Sequence, residues 1–357
     1  MRIDLEVGGS RYEGWVSFSV SSSLTGVART CDMAGSMRWS SLDVPPPILP
    51  PASARILVDD APILNGMIER VRPGLGPDRH PLSLSGRSRT GLLVKCSAIV
   101  PGGQFVGVTL DQIARRFGAE HNIPVIVDCD CGAPFPEVVV NGGDSKFAVL
   151  DRMAAARRVL LTDTPDGALR LTRAIGTGEV EVLREGDGRL VEADPEYTSD
   201  ARYGLYQVRS QQPAALDGDV AAETMVQGTA TDPAMPASHV LLHQSADPLT
   251  PSGARELASW LARRRAGESL SVPVTLRGFY APSGRIWQPG MLVHLYAPSI
   301  WVDARLVVSD VTLSLGNDGA RASLTLVPAA ALTPEPAAPQ DRGQRGVHAW
   351  SELRDGV

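Results

Sequence analysis

At 357 residues the chain is long enough for two to four compact units, and 43% hydrophobic with 21% charged residues is the composition of a globular protein. Its net charge of −6 comes without a cluster of Lys and Arg, which argues against a sequence-independent grip on nucleic-acid phosphates. Met1-Arg2-Ile3-Asp4-Leu5-Glu6 lacks the basic start and apolar core of a signal peptide, and no apolar run approaches the ~20 residues of a membrane helix, so synthesis and assembly in the cytoplasm without stable membrane association are expected.

The first stretch reads as antiparallel β. Ile3, Leu5 and Val7 alternate with polar residues, and Gly8-Gly9 supplies a two-residue hairpin turn. The next strand is expected from Tyr12 through Trp15 to Val20, with Val16, Phe18 and Val20 on one face. Pro45-Pro46-Pro47 and Pro50-Pro51 mark an extended connection. Ala54 to Val58, Pro62 to Val71 and Leu82 to Ser85 add short strands, a density that suggests a barrel or sandwich.

The character changes after Pro101. Thr109 caps a predicted helix through Glu120 whose stripe is Leu110, Ile113, Ala114 and Phe117. Val125 to Val127 is a strand, and Asp144 or Ser145 caps a second helix running to about Arg158. Val159 to Thr162 and Leu169 to Thr172 form a hairpin around Pro165-Asp166-Gly167. Strands return at Val180 to Leu183, Tyr203 to Arg209, Val272 to Gly278, Met291 to Tyr296, Leu306 to Leu315 and Arg321 to Pro328. A helix from about Gly253 to Arg265 interrupts them, and Arg263-Arg264-Arg265 at its end complements the helix dipole. The Pro-, Ala- and Gln-rich tail is expected to be extended, with Trp350 as a candidate docking residue.

Chemical motifs are absent. Gly86-Arg87-Ser88-Arg89-Thr90-Gly91 is one residue too long for a nucleophile elbow and runs into Leu92-Leu93-Val94. Gly142-Gly143-Asp144-Ser145-Lys146 lacks the spacing of a phosphate loop. His239 and His243 are four apart, a spacing that would bring two imidazoles together on a helix, but Val240-Leu241-Leu242 between them lacks the Glu of a zinc protease. Cys31, Cys96, Cys129 and Cys131 do not make a zinc pattern; free thiols or crosslinks between subunits are the two readings. Cys129 and Cys131, two apart in a strand, would point to opposite faces. No catalytic, cofactor-binding or metal-binding residue is assigned, and the chain is read as no enzyme.

The segment Leu82 to Ser85, Gly86-Arg87-Ser88, Leu92-Leu93-Val94 and Cys96-Ser97-Ala98 resembles the hub proteins of Mu-like contractile-tailed phages. Further collinear pieces are similar to the same family: Leu64-Asn65-Gly66-Met67-Ile68-Glu69, Gly143 to Phe147 with Leu160-Leu161-Thr162-Asp163, Asp200 to Val208, Asp247-Pro248, and Gly284-Arg285-Ile286-Trp287-Gln288-Pro289-Gly290. Lys95, where an acid is common, and Cys31, where an aromatic is usual, depart from the pattern. Gly86, Arg87, Trp287 and Pro289 are read as shaping turns and cores rather than touching a ligand.

The resemblance implies a β-rich α+β multidomain chain: two related antiparallel β-barrels with α/β insertions, the contractile-tail hub fold. The expected plan is a first β-barrel region over 1–98, an α/β insertion over 99–177, a second β-barrel region over 178–330 with a helical insertion near 248–268, and an extended tail over 331–357. It further implies a homotrimer in the virion tail baseplate, a ring joining the tail tube to a trimeric tail spike and meeting other baseplate proteins. DNA would pass through its channel on genome ejection without specific binding. The alternatives are the hub portion of a secretion-system spike, which normally continues into a β-helical spike for which this length leaves no room, and a tail-associated cell-wall hydrolase.

Overall fold

The computed structural model describes residues 1–36, 47–76, 80–173, 175–176, 178–211, 225–245 and 248–335. Pro45, Pro46, Asp247 and Trp350 lie outside them. The N-terminal β region comprises β1 (Ile3–Val7), β2 (Ser10–Tyr12), β3 (Ser17–Ser23), β4 (Thr30–Ser36), β5 (Ala52–Val58), β6 (Ala61–Pro73) and β7 (Pro81–Ser88). The inserted block follows as α1 (Gly91–Lys95), β8 (Gln104–Val108), α2 (Leu110–Ala119), β9 (Val125–Val127), β10 (Phe135–Val139), α3 (Lys146–Arg157), β11 (Leu160–Asp163) and β12 (Leu169–Thr172). Then come β13 (Val180–Arg184), β14 (Leu190–Ala193), β15 (Glu196–Tyr197), β16 (Leu205–Gln211), β17 (Met225–Thr231), β18 (Val240–Gln244) and α4 (Pro251–Glu268). The chain closes with β19 (Leu270–Arg277), β20 (Leu292–Ala297), β21 (Val302–Gly316) and β22 (Gly319–Val327).

Gly8 and Gly9, both at positive φ, make the expected two-residue turn, with Val7 opposite Ser10. The strand expected from Tyr12 to Val20 is instead two. Gly14 at positive φ breaks it, so Val16 is exposed while Phe18 and Val20 are buried. The apolar run Leu92 to Val94 forms part of the short helix α1.

Within the larger unit, Met1–Ala201 with Arg264–Glu335, fourteen strands form one curled sheet. It contains the same strand order twice. The first set runs β1-β5-β6-β7-β4-β3, and the second runs β13-β20-β21-β22-β19-β14. The residue rows agree too: Phe18, Met33, Leu84 and Val71 lie side by side in the first set. Ala193, Val274, Leu324 and Val311 do so in the second. Each set turns on a long bulged strand, β6 at Ile68/Arg70 and β21 at Val308/Asp310. Such bulges bend a strand and sharpen its twist. The outermost pairing differs, being antiparallel for β1–β5 and parallel for β13–β20.

The two sets fuse where β3 pairs with the far half of β21, from Ser23 opposite Asp310 to Phe18 opposite Leu315. They share one core: Phe18 and Phe279 rings meet at 5.9 Å, and Trp287 is buried among them.

The inserted block has its own core. Thr109 and Gln112 form a capping box on α2, and Leu110, Ile113, Ala114 and Phe117 are buried as the 3.6-residue stripe demands. Ser145 caps α3 by accepting a bond from the Ala148 amide. The second unit, Arg202–Arg263 among the described residues, is a sheet ordered β17-β16-β18 with one face on α4. Gly228 allows that approach, since a Cβ there would lie 2.2 Å from the Ala254 carbonyl carbon. Tyr206, Leu257, Trp260 and Leu261 fill its core.

Candidate functional site

Three of the sequence motifs meet at one buried arginine. Arg29, just before β4, and Asp163, at the end of β11, pair at 2.9 Å with both side chains almost wholly buried. The Arg29 amide donates to Ser88 Oγ, and its guanidinium donates to the Gln288 side chain at 2.9 Å and the Ile63 carbonyl at 3.3 Å. Ser88 Oγ is also bonded to Thr90 Oγ1 at 2.8 Å. The Gly-Arg-Ser, Leu-Leu-Thr-Asp and Trp-Gln-Pro-Gly segments thus join both strand sets and the inserted block around one cation. Burial pushes the Asp163 carboxyl up, against the pull of Arg29 and Ser88.

Arg29 was not among the residues the sequence singled out. Its signal was a lone charge between small or apolar residues, Val27-Ala28 and Cys31, where a charge is tolerated only if paired. Around it the glycines of two motifs are fixed by strand contact. A Cβ on Gly66 would lie 1.9 Å from the Arg87 carbonyl oxygen, and one on Gly86 would lie 2.3 Å from that of Met67. Arg87 itself is half exposed beside Glu69.

Two further polar links brace the sheet. Tyr280 donates to Asp59 at 2.6 Å, tying the β5–β6 turn to the second set. Burial and that bond push the Tyr280 hydroxyl up to about 12. Glu181 is buried; burial raises its pKa, but Ser283 and Arg285 outweigh this and hold it below the usual carboxylate range.

Two of the candidate chemical residues, Ser88 and Lys146, are engaged structurally. Ser88 is buried in the Arg29 cluster. Lys146 is buried, 2.6 Å from Glu120 and 2.7 Å from His121, so it ties α3 to the end of α2. Burial and the neighbouring Lys146 lower the His121 pKa. His243 lies on the strand β18 and His239 precedes it, so their spacing is not helical. Among the described residues no group of three His, Cys, Asp or Glu side chains could hold a metal ion. Arg264 and Arg265 pair with Glu268 at the end of α4.

The four cysteines are free. Cys129 and Cys131 lie in the loop after β9 rather than in a strand, and Cys131 donates weakly to the Cys129 carbonyl at 3.8 Å. Burial pushes Cys31 up to about 12 and Cys131 up to about 11, so neither carries a thiolate near neutrality.

The surface also carries open strand edges. Among the described strands, nothing pairs with the outer edge of β14 and β15, or with β6 beyond the start of β5. Leu75, just past β6, is 89% exposed, and Trp301 is 84% exposed at positive φ. An unpaired strand edge is a template on which another chain can pair unless it is blocked or covered.

Comparison with known proteins agrees. Residues 2–88 match the N-terminal model of Mu phage baseplate assembly protein GpP-like, 90–173 match baseplate hub protein gp44-like, second domain, and 250–335 match Mu phage baseplate assembly protein GpP, fourth domain. The chain is 28% identical to the baseplate hub protein gp44 of Escherichia phage Mu, over 91% of this chain and 87% of that one. It is similar to the 43 kDa tail protein of prophage MuSo2 from Shewanella oneidensis, with a TM-score of 0.81, 25% identity and 94% and 100% coverage. A tail protein from Neisseria meningitidis shares the fold at a TM-score of 0.76 and 21% identity, over 94% and 98% of the two chains.

Together these matches define a baseplate hub of a contractile tail, with the doubled strand set and inserted block as its fold. Within that class, the chain belongs to the Mu-like baseplate hub proteins.

Proposed function

We propose that three copies of this chain close into a ring between a sixfold tail tube and a threefold spike. The observation that carries this reading is the repeated strand set. Three chains, each holding two matching modules, present six similar faces on one side and three identical chains on the other. The ring surrounds the channel through which DNA leaves, and it grips DNA at no specific site. The protein acts by holding its partners in register and transforms no substrate; it is assembled in the host cytoplasm and resides in the virion tail baseplate. The domain plan is a first β region over 1–98, an α/β insertion over 99–177, a second β region over 178–330 whose helical insertion near 248–268 belongs mostly to the compact unit of residues 202–263, and a tail over 331–357.

Light scattering on the purified full-length chain tests the ring. The expected mass is three times the 37.9 kDa of one chain. A monomer at every concentration, alone and mixed with its spike, contradicts it.

A further inference from the structure

The repeat predicts where one chain meets the next. Inside the chain, the first set contacts the second through β3 against the far half of β21, with Ser21 opposite Thr312, Ser22 opposite Val311 and Phe18 opposite Leu315. The aligned rows equate β3 with β14 and β15, and β21 with β6. Ala193 stands for Phe18, Glu196 for Ser21 and Tyr197 for Ser22. Val71 likewise stands for Val311, Arg72 for Thr312 and Leu75 for Leu315.

We infer that the edge formed by residues 193–198 of one chain lies along residues 70–75 of a second copy, with Glu196 beside the neighbour's Arg72. This deepens the ring reading and rests on it.

Three observations support the match. First, both segments are open: no described strand pairs with either on this side. Second, their charges are complementary. The first carries Asp194 and Glu196, the second Arg70 and Arg72, all exposed and none in an ion pair among the described residues. Third, Leu75 is 89% exposed, whereas Leu315 at the equivalent place packs on the shared core opposite Phe18.

The seam is not a copy of the internal ladder. The Gly74 amide donates to Pro81 and the Asp194 amide to Pro273, each inward to its own sheet, so the alternate residues Pro73 and Pro195 face the open edges. They fall opposite each other in this register, and neither offers an N–H. The ladder between chains is therefore blocked at its middle, and side chains must carry the contact. A proline-blocked edge also keeps the chains from pairing at random before the ring closes.

The test is a crosslink between copies. In the full-length chain with Cys96→Ser and Cys129→Ser, Arg72→Cys and Glu196→Cys are made singly and together. The two single variants, mixed and oxidised, should yield a covalent dimer that neither forms alone. The double variant should give a ladder ending at three chains. Arg72→Glu should weaken self-association about tenfold, and Arg72→Glu with Glu196→Arg should restore it. A trimer by light scattering that gives no crosslink overturns this seam and leaves the ring intact, as does self-crosslinking of the Arg72→Cys chain. A monomer by light scattering overturns the ring and the seam together.

Discussion

Arg29 and Asp163 show how a single pair can organise a large β protein. Two charges removed from water are tolerated only with near-complete hydrogen bonding, and this pair has Ser88, Gln288 and the Ile63 carbonyl to supply it. Asp163→Ala should therefore cost about 3–5 kcal/mol, because it strands a buried guanidinium. Replacing both partners, Arg29→Met with Asp163→Leu, should recover most of that loss. Arg87→Ala, which removes a half-exposed ion pair, should cost no more than ~1 kcal/mol. Denaturant unfolding of the four proteins checks this order, and equal losses for Asp163→Ala and Arg87→Ala would contradict it. At this scale the sequence showed which segments mattered but not what held them. Gly66, Gly86, Ser88 and Asp163 all lie in segments legible as family motifs. Arg29 and its contact with Gln288 span 259 positions, a distance that no local pattern reports.

At the scale of elements, periodicity read well where one face is buried. The stripe of α2, the cap of α3 and the strands over Pro62 to Val71 and Leu82 to Ser85 were all visible. It failed where pairing rather than pattern makes the strand. β8, β10 and β14 are short and half exposed, and β17 and β18 owe their existence to β16 between them. Gly14 split an expected strand because its positive φ, not its neighbours' hydrophobicity, decided the path. The link between the β5–β6 turn and the second strand set gives a pH prediction. The Tyr280 hydroxyl titrates near 12 in the folded chain against about 10 in the unfolded chain. A raised pKa means stability that is full below pH ~10 and is lost as pH rises through 12. Thermal unfolding across pH 9 to 12 should thus show a steeper loss for the native chain than for Tyr280→Phe; parallel curves would mean that neither burial nor the Asp59 bond shifts the hydroxyl.

For the whole molecule, the decisive feature is a duplication that composition cannot show. The strand sets through Phe18 and Ala193 share strand order and bulge position; in these rows Leu84 matches Leu324 and Val71 matches Val311, but it is the pairing registers that align them. The sequence pointed to two β regions by resemblance, and the coordinates show how they join: one sheet, one core and an internal seam between β3 and β21. A chain built this way satisfies one contact between its two modules by itself, and in the proposed ring a neighbour supplies the other. Electron cryomicroscopy of the isolated baseplate core tests that account most directly. It predicts a ring of three chains whose six β modules are spaced nearly evenly about the channel. A ring with any other number of chains, or one in which the two modules of each chain lie at unrelated radii, would contradict it.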